Sequence, residues 1–163
     1  MRLILILFAL TFFACHDNGV DPDNHATAKI DGVDWTAQVA ASHTTRFGES
    51  GVNIIISNPN LIKPEETIGF LHVPLKTGEY IVKESITTFD STGVLGYYKP
   101  DVRIIPFISY LPIENEINIL VIESYNEITG DIIFSFENTF ENPPIVATNR
   151  VEIREGKGVV MLH

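Results

Sequence analysis

From Ala26 onward, apolar and polar positions along the chain alternate with a period of two rather than 3.6. That is the pattern of strands with one buried face. Ala28-Lys29-Ile30 and Val33-Asp34-Trp35 flank Asp31-Gly32, a two-residue hairpin turn in which glycine accepts positive φ. Val52 to Ser57 is a β-branched run closed by Asn58-Pro59-Asn60, and Thr67 to Val73 is another, closed by Pro74. Lys76-Thr77-Gly78 turns into Glu79 to Lys83; Ile117 to Tyr125 is strongly β and ends at Asn126-Glu127. In Asp131 to Glu137, Ile132, Phe134 and Phe136 share the inward face, and Ser135 and Glu137 the other. Val151 and Ile153 alternate with Glu152 and Arg154, after which Gly156-Lys157-Gly158 reads as a turn into Val159 to Leu162.

The period never becomes helical. Pro64-Glu65-Glu66 suits a first helical turn, but Thr67-Ile68-Gly69 allows no more than that one turn. Tyr97 to Pro112 is apolar and punctuated by Pro100, Pro106 and Pro112. Proline has no N–H for a ladder, so this stretch is expected as an edge strand or a loop crossing the core. About nine short strands with frequent turns predict a single all-β, antiparallel, sandwich-like domain over 26–163. A lipocalin-like or partly open barrel is the alternative.

Before Ala26 the pattern is different. Met1-Arg2 begins with one positive charge, and Leu3 to Phe13 carries nothing more polar than Thr11. About eleven apolar residues fall well short of the ~20 of a membrane-spanning helix and match the core of a secretory signal peptide. The run ends at Phe12-Phe13-Ala14-Cys15, around the protein's single cysteine. It resembles a lipobox, the site where bacterial lipoprotein leaders are cut before a lipidated cysteine. The resemblance implies a leader over 1–14 and a diacylglyceryl thioether and acylated amine (palmitate or similar chains) at Cys15. Several acyl chains, each methylene contributing ~0.8 kcal/mol, anchor a domain that one chain would not. Residues 15–25, with H-D-N-G-V-D-P-D-N-H after the cysteine, read as a flexible acidic tether. Asp17, Asp21 and Asp23 lack the glycine and distal glutamate of a calcium loop.

Charge narrows the partners. The full chain carries −10, and losing Arg2 with the leader takes the mature part to −11. Nucleic acids and anionic headgroups, both polyanions, are therefore excluded as partners of the domain. With Cys15 lipidated no intramolecular disulfide can form, and packing alone must hold the fold.

Candidate chemistry is sparse. His16 and His25 lie in the tether, His163 ends the chain, and His43 and His72 lack the spacing of a zinc site. No nucleophile elbow, phosphate loop or dinucleotide fingerprint occurs, and neither cofactor nor metal is expected. His72, inside an apolar strand, is expected as a hydrogen-bonded core or edge residue. Glu114 and Glu116 share a strand face, as do Glu152 and Arg154, and paired carboxylates are what a glycosidase needs. Tyr97, Tyr98 and Tyr110 flank the proline-punctuated stretch. As a ligand-binding set they would stack on sugar rings; the competing reading packs them into the rim of the core.

Ala28 to Ala37 reads A-K-I-D-G-V-D-W-T-A, and Ile117 to Phe136 ends I-T-G-D-I-I-F-S-F, with the Gly78-Glu79-Tyr80 turn between. Together these stretches resemble uncharacterised, β-rich lipoprotein families of Bacteroidota. Acidic residues soon after the lipidated cysteine are associated there with export to the cell surface. The resemblance implies no catalytic residue. Gly32, Gly78 and Gly130 then serve turns, and Trp35 covers an end of the core with its N–H reaching a backbone carbonyl. The expected role is a non-catalytic, lipid-anchored protein of the cell envelope, in the outer membrane. It would serve as a binding or structural accessory module for a glycan or an envelope protein. The alternative is a carboxylate-based hydrolase acting on glycans.

Overall fold

The computed structural model describes residues 24–46, 48–58, 66–84, 93–100, 109–142 and 149–162. The expected leader, Cys15 and the expected tether as far as Asp23 lie outside them, as does the single helical turn expected at Pro64. Ten strands and no helix occur among the described residues: β1 (His25–Ile30), β2 (Val33–Arg46), β3 (Glu49–Ser57), β4 (Thr67–Pro74), β5 (Gly78–Lys83), β6 (Gly93–Lys99), β7 (Leu111–Pro112), β8 (Ile119–Tyr125), β9 (Asp131–Glu141) and β10 (Arg150–Met161).

Hydrogen bonding follows the order β10-β1-β2-β3-β4-β6-β5-β8-β9, and β9 pairs back onto β10. Nine strands thus close a barrel, and β7 is a tenth, short strand laid on β9. The sandwich expectation gives way to the barrel alternative. Inward–outward alternation is identical in the two architectures; what separates them is that β10 gives one edge to β1 and the other to β9. The expected antiparallel pairing also has one exception, since β5 and β6 run parallel.

Closing a sheet requires curvature, and one-residue bulges supply it. β4 carries an extra residue opposite Asn53, with His72 at φ 60°. β8 carries one between Ile122 and Ser124. β10 carries one at Glu155 (φ 54°), where the register shifts against both β1 and β9. The Asp31-Gly32 turn forms as expected, both residues having positive φ (50° and 79°), the signature of a hairpin whose twist matches its strands.

The wall's inner face is the core. Phe70, Phe134, Phe136, Phe140, Ile54, Ile56, Ile68, Leu120, Ile132 and Ile153 are all fully buried. Phe136 takes the edge of Phe70 at 5.5 Å between centroids and stacks with Phe134 at 6.0 Å. The expected register of β9 holds: Ile132, Phe134 and Phe136 point in, while Ile133 is exposed and Ser135 and Glu137 are half-buried. The expected turn at Gly156-Lys157-Gly158 does not form, because β10 runs unbroken through it. Gly156 stands opposite Phe136 and Gly158 opposite Phe134. A Cβ at Gly156 would come within 2.6 Å of the Phe136 ring, and one at Gly158 within 2.9 Å of two Phe134 ring atoms. These glycines make room for two rings inside the barrel.

The proline-rich stretch splits. Tyr97 and Tyr98 belong to β6, and 101–108 lie outside the described residues. Tyr110 exchanges backbone hydrogen bonds with Tyr98 (2.7 and 3.0 Å), while Leu111 and Pro112 pair with Glu141 and Phe140. Tyr110–Pro112 thus bridges β6 and β9 at the barrel end where β5 and β8 stop short. Pro112 sits in that peripheral two-residue strand, as an edge reading requires.

Candidate functional site

The three candidate tyrosines do not form one strip. Alternation along β6 turns Tyr98 inward and Tyr97 outward. Tyr98 is 3% exposed; its ring meets Tyr110 edge-on at 5.7 Å and stacks with Phe140 at 6.2 Å. Its hydroxyl donates to Glu66 Oε1 at 3.2 Å. Burial pushes the Tyr98 phenol far above its usual range, and the nearby Glu66 carboxylate pushes it further. Tyr110 is buried as well. Tyr97 is half-buried on the outer wall, with its ring over the cross-strand partner Gly69 and Lys99 Nζ 5.1 Å from its centroid.

Two further inward side chains carry a polar atom with no hydrogen-bond partner, Trp35 Nε1 and Asn138 Oδ1. The expected Trp35 bond to a carbonyl does not form: its indole N–H is buried without a hydrogen-bond partner. Such atoms are desolvated without compensation, and both are sealed from water. At these positions the inside of the barrel is packing, with no room for a ligand beside either atom.

The carboxylate pairs also resolve into structure. Glu114 and Glu116 lie in the turn after β7, where Asn115 has φ 69°, and not on a strand. The polar run Glu114-Asn115-Glu116 interrupts the apolar pattern and ends β7 after two residues. Arg150 pairs with Glu116 at 2.9 Å and with Glu152 at 2.7 Å, and Arg154 lies 3.4 Å from Glu152. Arg154 also donates to the Asn138 and Ile153 carbonyls and to Thr139 Oγ1. Glu116 and Glu152 therefore neutralise cations; Arg150–Glu116 ties β10 to the turn before β8, and Arg154 ties β10 to β9. Histidines 25 and 43 are exposed on β1 and β2. His72, half-buried on its bulge, meets Thr44 Oγ1 through Nδ1 at 3.3 Å, and its backbone N–H donates to Asn53 Oδ1 at 3.1 Å. Among the described residues no three histidines, cysteines or acids come together as a metal site.

An open concavity lies elsewhere, on the outer wall. β5, β8, β9 and β10 lie side by side, and their outward residues form a row, Glu79–Val121–Ser135–Lys157, each opposite the next. One step toward the Tyr98 end a second row runs Ile81–Ile119–Glu137. Between these rows lies a groove of about 340 Å³, with the bulged Glu155 on its rim. Ile119 and Val121 form an apolar floor, and Ile81 beside it is 52% exposed. Glu155 is already matched, by Lys29 Nζ at 2.8 Å. The side chains of Glu79, Glu137 and Lys157 make no hydrogen bond or ion pair within the described residues.

None of these groove residues stood out in the sequence. Glu137 and Ser135 were readable as outward-facing, but their neighbours depend on a strand order that is not sequential. No protein-family model, curated protein or solved structure matches this chain.

Proposed function

We propose that this protein is a lipid-anchored, non-catalytic component of the cell envelope. Its barrel serves as a binding or structural accessory module for a glycan or an envelope protein. The observation that carries the binding role is the groove on the outer wall, with two unmatched carboxylates, a lysine and an apolar floor. The tyrosine end supports it less, since Tyr98 and Tyr110 are buried against each other. The anchoring role rests on the leader-like Met1 to Ala14 and the lipobox-like Phe12 to Cys15; on this proposal the barrel sits on the outer membrane, facing periplasm or surface. The hydrolase alternative finds two carboxylates in the groove, Glu79 and Glu137. Glu79 is exposed and Glu137 is half-buried at the wall.

Two measurements test the proposal. Cys15→Ser should abolish lipid labelling and move the protein from membrane to soluble fractions; unchanged membrane fractionation refutes the anchor. Substituting the groove floor by Val121→Lys should leave the unfolding free energy within about 0.5 kcal/mol, as expected of an outward position, while abolishing association with envelope material. Retained association refutes the groove as the binding surface.

A further inference from the structure

Resting on the binding role just proposed, we infer that the outer-wall groove takes an extended, basic segment of a partner protein, with lysine or arginine residues four apart and an apolar residue midway. The charge pattern selects this occupant. Glu79 and Glu137 face the groove without a counter-ion, Glu155 being matched by Lys29. A second copy of this chain, at −10, would bring like charge to like. A neutral sugar would find an aliphatic floor of Ile119 and Val121 where stacking needs an aromatic face.

Spacing agrees with charge. Glu79 and Glu137 are separated by two strands and one two-residue step, about 12 Å between Cα positions. Residues four apart in an extended chain are about 13 Å apart, and residues i, i+2 and i+4 share one face. Two cations at the ends would meet the two carboxylates, and the side chain between them would lie over Val121 and Ile119. Lys157, at the far end of the first row, opposes basic ligands.

The test uses the mature lipidated protein, ¹⁵N-labelled in non-ionic detergent, titrated with acetyl-Lys-Ala-Val-Ala-Lys-amide. The expected result is saturable shifts of the Val121, Ser135 and Lys157 amides. Glu79→Gln and Glu137→Gln should each weaken binding about two- to fivefold, the range of exposed ion pairs, with further weakening at high salt. Lys157→Gln should strengthen it. Equal shifts with acetyl-Glu-Ala-Val-Ala-Glu-amide, or binding indifferent to the two glutamates, overturn the inference. Shifts of the same amides by a neutral N-acetylglucosamine tetramer, with none by the basic peptide, overturn it while leaving a binding module. No response to any probe overturns it and removes the groove's support for that role as well.

Discussion

Replacing Phe134 tests both the barrel and the fit of its glycines. Phe134 is completely buried, its ring stacked on Phe136 and set against Gly158 on the neighbouring strand. A buried phenylalanine removes roughly 150–250 Å² from water, worth about 4–6 kcal/mol at ~25 cal/mol/Å². Alanine keeps a part of that and leaves a cavity, so Phe134→Ala should cost about 3–5 kcal/mol. Against a total stability of about 5–15 kcal/mol this is severe. Gly158→Ala attacks the same contact from the other side, because its methyl would sit inside the Phe134 ring's space. Overpacking of that kind costs about 1–3 kcal/mol. In the double variant the ring is gone and the methyl fits, so the double should cost less than the two singles added, by about 1–3 kcal/mol. Outward Ser135→Ala should stay within about 0.5 kcal/mol.

Urea unfolding followed by tryptophan fluorescence, with m-values compared across variants, reads all four. Should Phe134→Ala leave no folded protein, Phe134→Leu, expected at about 1–3 kcal/mol, carries the cycle with Gly158→Ala instead. A harmless Gly158→Ala, or strictly additive costs, would refute the ring-on-glycine packing. Sensitivity at Ser135 with tolerance at Phe134 would mean a β9 register wrong by one residue, inverting its inward face.

The remaining expectations concern polar groups. Asn138 is fully buried with Oδ1 unpartnered and Nδ2 only 3.5 Å from the Ile119 carbonyl, so Asn138→Leu should raise stability by about 1 kcal/mol, read as an increase in Tm. Burial, and then Arg46, hold the His72 imidazole below its usual range. The unfolded chain therefore takes up its proton first, and His72's contribution, complete above about pH 6.5, is lost as pH falls below that value. The Tm of His72→Asn, a residue that tolerates the same positive φ, should fall less steeply between pH 7.5 and 5 than that of the parent; parallel curves would refute this.

What the sequence displayed, it displayed through period and turn chemistry. Asp31-Gly32 and the Ile132/Phe134/Phe136 face were legible because a strand's side-chain period is two and a tight turn needs positive φ. Closure was not legible, since β10 meets β1 across more than a hundred residues and alternation says nothing about which edges pair. Gly156-Lys157-Gly158 was misread for a physical reason: a glycine that turns the chain and one that admits a ring are the same letter. β6 and the far half of β2 went unseen. Gly93 to Tyr98 carries two glycines, Gly93 opposite Ile81 and Gly96 facing Val82, and Ala40 to Arg46 is largely polar on both faces. The tyrosines were found, but their sides were not, because Tyr97 and Tyr98 are adjacent and a strand must send them opposite ways.

That alternation also bears on where a function can reside. A closed barrel of about eight strands has an interior just wide enough to be filled by side chains or to hold one small ligand. Here the inward positions carry Phe70, Phe134, Phe136 and Phe140, all buried, with glycines opposite two of them to let the rings in. With a single cysteine and so no intramolecular disulfide, these rings carry much of the stability of the fold. The outward positions are under no such demand. On β5, β8, β9 and β10 they nevertheless hold isoleucine and valine between unmatched glutamates, where polar side chains would serve solubility better. If that pattern were only tolerated, replacing Ile81, Ile119 and Val121 together by threonine would leave every property unchanged. If it serves binding, the triple variant should keep its unfolding free energy within about 1–2 kcal/mol and lose its affinity for the basic peptide.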